Sequence, residues 1–154
     1  MNRTRRRGRF AVAALLAAGL AAVPTAAWAH AAFTSPGSVP ADSDQTLVLD
    51  VPEERGDIRN AKVIVEVPAG FTVSGCEPKR DWDCAPSPSG SKTVVTFTRT
   101  SGSSPDTAFG FRVHTPDKDG SYAFEVNQFY ADGESTRWDG PPDSDFPAPV
   151  LEVG

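Results

Sequence analysis

The chain has 154 residues with 15 Lys+Arg against 20 Asp+Glu, a formal net charge of −5, and a length that suits one domain plus short processing segments. Arg3, Arg5, Arg6, Arg7 and Arg9 lie in residues 1–29 with no acid, so residues 30–154 carry a net −10, and that acidic body lacks the basic face needed for nucleic acid or an anionic membrane. Nine Phe and 39% hydrophobic residues permit a sizeable core, whereas two Cys and one initiating Met exclude Met-rich or Cys-rich metal sites and iron–sulfur clusters.

Arg5–Arg9 form a basic patch ahead of an apolar run, Phe10–Val23, of 14 residues. A spanning helix needs about 20, so the run is too short to anchor the chain in a bilayer. Pro24 ends it, and Ala27-Trp28-Ala29 places small residues where a signal peptidase reads. Residues 1–29 are therefore expected to be a secretory signal peptide, leaving residues 30–154 as one exported domain, extracellular or in the cell envelope. Ala29-His30-Ala31 also fits the small-x-small pattern, and cleavage there would remove His30. No second hydrophobic segment follows, so the domain is expected to be soluble, with no C-terminal membrane anchor.

The remainder alternates apolar and polar residues in short runs. Leu47, Leu49 and Val51 share a face of Gln45–Val51, and Val63, Val65 and Val67 share a face of Ala61–Val67. Phe71–Ser74 is a shorter candidate strand, and Thr93–Arg99 alternates around Val95 and Phe97. Phe109, Phe111 and Val113 mark Thr107–Val113, and Tyr122, Phe124, Val126, Gln128 and Tyr130 mark Ser121–Tyr130. Asp132-Gly133 is a hairpin signal that turns the chain into Ser135–Trp138, and Val150–Val153 closes the series. Period-two patterns of this kind are half-buried strands. Ser87–Ser91 and Ser101–Asp106 read as loops, and Asp139–Phe146 as a Pro/Asp-rich connection. The expected fold class is all-β: a single antiparallel β-sandwich of immunoglobulin or cupredoxin type.

Export also decides how the cysteines are read. Cys76 and Cys84 are expected to form a disulfide closing a small loop, contributing about 2–3 kcal/mol. Their spacing does not match CxxC, and no His lies nearby.

Cleavage after Ala29 would make His30 the first residue. Its ring nitrogen and a free α-amine, a group with reference pKa about 7.7–8.0, can close a chelate on one ion. Two nitrogens with a carboxylate oxygen form a tetragonal set that suits Cu(II) among common divalent metals. Glu53 and Glu54 supply a carboxylate pair at a strand end, but adjacent residues of an extended backbone face opposite sides, so only one could meet a given ion. Taken singly, each signal has a plainer explanation: His30 as whatever residue the peptidase leaves, the glutamates as solvated acids, and Trp138 as core. His114, at a strand end before Pro116-Asp117-Lys118-Asp119-Gly120, reads as solvated or as a third nitrogen for a two-histidine brace.

In their order and spacing these pieces resemble the YcnI-like family of exported copper-binding domains. The resemblance rests on Ala29-His30, Val51-Pro52-Glu53-Glu54-Arg55, Ala61–Val67 into Pro68-Ala69-Gly70-Phe71, and Phe109-Gly110-Phe111-Arg112-Val113. Its most specific part is Phe124-Glu125-Val126-Asn127-Gln128-Phe129-Tyr130-Ala131-Asp132-Gly133 leading to Arg137-Trp138-Asp139, and Pro147-Ala148-Pro149-Val150-Leu151 also matches. The resemblance implies a β-sandwich that binds Cu(II) through a single-histidine brace. His30 would give amine and ring nitrogen, Glu54 the carboxylate, and Trp138 an indole beside the metal that shields it and can donate a hydrogen bond. It implies a non-enzymatic role in copper binding, trafficking or homeostasis, with membrane or periplasmic copper-transport proteins as partners. The Cys76–Cys84 insert is not a feature of the family. The alternatives are a lytic polysaccharide monooxygenase-like oxidase, which would need His114 beside His30, and a metal-free binding module.

Overall fold

A computed structural model describes residues 30–34 and 38–154; the signal-peptide expectation for residues 1–29 lies outside the described residues. These residues form β1 (Ala32–Phe33), β2 (Ser38–Val39), β3 (Asp44–Asp50), β4 (Asn60–Val67), β5 (Thr72–Cys76), β6 (Trp82–Ser89), β7 (Lys92–Arg99), β8 (Ala108–His114), β9 (Gly120–Ala123), β10 (Glu125–Tyr130), β11 (Ser135–Trp138) and β12 (Val150–Val153), with no helix among them. One sheet runs β1-β3-β8-β5, a second β11-β10-β4-β7-β6, and a small third β2-β12-β9. All pairings are antiparallel except β2 with β12.

The alternation seen in the sequence becomes the core. Leu47 and Leu49 of β3 and Phe109, Phe111 and Val113 of β8 come from one sheet; Val63, Val65 and Val67 of β4, Val95 and Phe97 of β7, Val126 of β10 and Trp138 of β11 come from the other. Every one of these side chains is at most 1% exposed. Phe109 joins the layers: its ring lies 4.9 Å from Trp82 of β6 and 5.2 Å from Phe97, inside the range where tilted aromatic pairs attract.

Three expectations change in detail. Ser87–Ser91 is not a loop. β6 runs to Ser89 and turns tightly through Gly90-Ser91 into β7, with Gly90 at φ +63°, a conformation a Cβ disfavours. Pro86 and Pro88 obscured the strand, and they are tolerated because β6 is the edge of its sheet. Ser121–Tyr130 is not one strand either. It breaks at Phe124, whose N–H bonds the Pro149 carbonyl, so β9 joins β12 while β10 enters the large sheet. The Cys76–Cys84 disulfide forms, and it does more than close a loop: it ties β5 at the edge of one sheet to β6 at the edge of the other.

Candidate metal centre

His30 is exposed and leads directly into β1. Ala32 pairs with Asp50, and carrying that antiparallel register back two residues brings His30 level with Pro52. From Pro52 the chain leaves β3 through the two glutamates, which diverge as an extended backbone requires. Glu53 turns inward. Its side chain is 5% exposed, accepts a 2.8 Å hydrogen bond from the Asn60 N–H, and lies 3.5 Å and 3.8 Å from the Arg59 and Arg99 guanidinium groups. Glu54 stays exposed. Beside it the Tyr130 phenol is raised above its usual pKa, chiefly by burial. Arg55 lies 5.1 Å above the Tyr130 ring and 2.7 Å from Asp132, which ties the loop to the β10–β11 turn.

Trp138 ends β11, fully buried, with its ring centroid 6.4 Å from that of His30 at an interplanar angle of 62°. Phe146, 40% exposed, packs edge-on against the same indole at 5.5 Å. The indole N–H is not available to a ligand. It donates to Gln128 Oε1 at 2.9 Å, so the hydrogen bond that the resemblance offered to the site runs into the core instead.

That bond begins a buried chain. Gln128 Nε2 donates at 2.7 Å to the Pro52 carbonyl and at 2.7 Å to Asn60 Oδ1. Asn60 Nδ2 donates in turn to the Val51 and Asp106 carbonyls at 3.2 Å and 3.1 Å. Both amides are fully buried, and no buried side-chain polar atom among the described residues is left without a partner. The sequence reading missed Gln128 and Asn60 as site neighbours. The available signal was a glutamine standing between Val126 and Tyr130 on an otherwise apolar face of β10.

An imidazole and a carboxylate are donor types that metal ions take. His30 supplies an exposed imidazole, Glu54 an exposed carboxylate at the same end of the sandwich, and Trp138 an apolar wall. Among the described residues no group of three or more His, Cys, Asp or Glu side chains could hold a metal. His30 and Glu54 are only two such side chains, and a third donor would have to come from the backbone amine that cleavage after Ala29 would free.

His114 lies elsewhere. It pairs with Asp44, eight residues along the chain from Pro52, with which His30 is level, so about 27 Å of strand separates the two histidines at ~3.4 Å per residue. A two-histidine site is thereby excluded by distance. The His114 ring instead bonds Asp44 at 2.8 Å through Nδ1 and Asp42 at 3.1 Å through Nε2. These two hydrogen bonds raise its pKa above the usual 6.5. A raised folded pKa means that its stabilisation is fully present below pH 6.5 and fades as pH rises through the shifted value. The melting temperature of His114→Gln should therefore fall furthest below wild type in acid and converge with it in alkali, as thermal melts across pH would record.

The family model "Domain of unknown function (DUF1775)" matches residues 30–153. The chain is 28% identical over 134 residues to the copper-binding protein CutI of Bacillus subtilis, covering 79% of this chain but 65% of that protein. An uncharacterized protein from Nocardia farcinica with an immunoglobulin-like fold superposes with TM-score 0.67 at 23% identity, over 81% of this chain and 98% of that one. A cohesin module of a Clostridium perfringens glycoside hydrolase superposes with TM-score 0.58 at 10% identity, over 81% and 96%.

Proposed function

The chain belongs to the DUF1775 family, the YcnI family of the sequence resemblance, and from that membership we propose that it is an exported Cu(II)-binding protein acting in copper binding, trafficking or homeostasis. The observation that carries the reading is the placing of His30 against Trp138, level with the loop that presents Glu54. The name of the Bacillus subtilis relative supports copper as the ion.

In this reading His30 binds through its ring nitrogen and, after cleavage, its amine, while Glu54 adds a hard anionic oxygen. Such a tetragonal N,O set favours the cupric ion. Trp138 keeps water from one side of the site, with its polar edge turned away. The copper would be cargo, passed to or from membrane or periplasmic transport proteins.

The test is made on the secreted chain. Intact mass should place its first residue at His30, and its Cu(II) electron paramagnetic resonance spectrum should show nitrogen hyperfine structure at one copper per chain. A first residue of Ala32, or a spectrum without nitrogen coupling, would overturn the reading.

A further inference from the structure

Gln128 has no reason to be polar if its position serves packing alone. It is fully buried on the inward face of β10, where an apolar side chain of similar volume would need no partners. None of its hydrogen-bond partners is exposed. What it does touch are the two elements that frame the proposed centre: the Trp138 indole, beside His30, and the Pro52 carbonyl, two residues before Glu54.

The direction of every bond in this chain is dictated by the indole. An indole N–H can only donate, so Gln128 must present Oε1 to it and therefore Nε2 to the other side. That side holds two acceptors, the Pro52 carbonyl and Asn60 Oδ1. With its oxygen so occupied, Asn60 must turn Nδ2 to the carbonyls of Val51 and Asp106. A single orientation satisfies the whole chain, from β11 through β10 and β4 to the end of β3.

We propose that Gln128 is the positioning residue of the metal centre: it locks the Trp138 indole edge toward the core and fixes the Val51–Glu54 segment, so that His30 and Glu54 are held at one place before any ion arrives. The inference rests on the copper-binding reading above. Partners of this kind, which orient ligands without touching the ion, are worth about 10–100-fold in metal affinity.

A double-mutant cycle on the mature chain tests it, with Gln128→Leu and Glu54→Gln made singly and together and Cu(II) affinity read by competition titration. Gln128→Leu should weaken binding about 10–100-fold. In the Glu54→Gln background it should weaken binding far less, because the carboxylate it helps to place is gone. In the copper-free protein the Trp138 indole N–H should exchange slowly in wild type and fast in Gln128→Leu. Should Gln128→Leu fail to fold, Trp138→Phe takes its place in the cycle, since it removes the N–H that anchors the amide while keeping an aromatic ring beside His30.

Equal effects of Gln128→Leu in both backgrounds, with Glu54→Gln itself weakening binding, would overturn the positioning role and leave the copper reading standing. No effect of Glu54→Gln, or no copper bound by wild type, would overturn the reading on which the role rests.

Discussion

His30→Ala in the mature chain should lose tight Cu(II) binding, by more than the ~100-fold that a residue remote from the ion can account for. The substitution removes the ring nitrogen and with it the chelate, leaving a lone amine and the Glu54 carboxylate. A second variant separates the two nitrogens. A chain acetylated at the His30 amine keeps the imidazole but converts the amine to an amide, and it should fail in the same way. Both variants should fold as well as wild type, because His30 is exposed and outside the core. Titration calorimetry reads the affinity, and thermal melts give an independent check. Copper at 100 times its dissociation constant should stabilise wild type by about 2.7 kcal/mol and neither variant. Retained affinity in the acetylated chain would show that the amine is not a ligand.

Phe109→Ala should cost about 3–5 kcal/mol, the largest expected loss from a single side chain outside the proposed centre. Phe109 is fully buried and stacks on Trp82 and Phe97, which belong to the opposite sheet. Lys79, which also bonds Asp106, rests its ammonium 5.4 Å from the same ring. Truncation leaves a cavity between two sheets whose separation is fixed by their other side chains and by the Cys76–Cys84 bridge. The gap therefore has little freedom to collapse. Urea titration should show a lower midpoint with an unchanged slope, and the melting temperature should fall by roughly 10–20 °C.

The sequence disclosed the strands whose two faces differ. β3, β4, β7, β8 and β10 each bury alternate residues, and a period of two states that directly. β6 escaped because its outer half is exposed on both faces and carries two prolines, so no alternation survives there. β1 and β2 span two residues each, too short for any pattern. For the centre, the sequence named His30, Glu54 and Trp138, and register and ring geometry now bring His30 to Trp138 and to the level of Pro52. The inward turn of the Trp138 N–H was not legible. It depends on Gln128 being its cross-strand neighbour's neighbour, with Trp138 opposite Val126 and Thr136 opposite Gln128, a relation fixed by the hairpin register and not by spacing along the chain. The separation of His114 from His30 was hidden for a similar reason, since only the pairing of β3 with β8 assigns them to opposite ends.

The two prolines of β6 have a further effect on how molecules of this protein meet. Residues two apart in a strand point their backbone groups the same way, and a strand that stays paired with β7 over its full length leaves the missing donors of Pro86 and Pro88 facing outward. A visiting strand would find gaps where it needs N–H groups, so polymerisation through that border is discouraged. The border beside β11, only four residues long, is the remaining rim of the same sheet, and it ends at Trp138. Crowded copies are thus steered away from stacking through that border, and any strand-like visitor is directed to the rim that ends at Trp138.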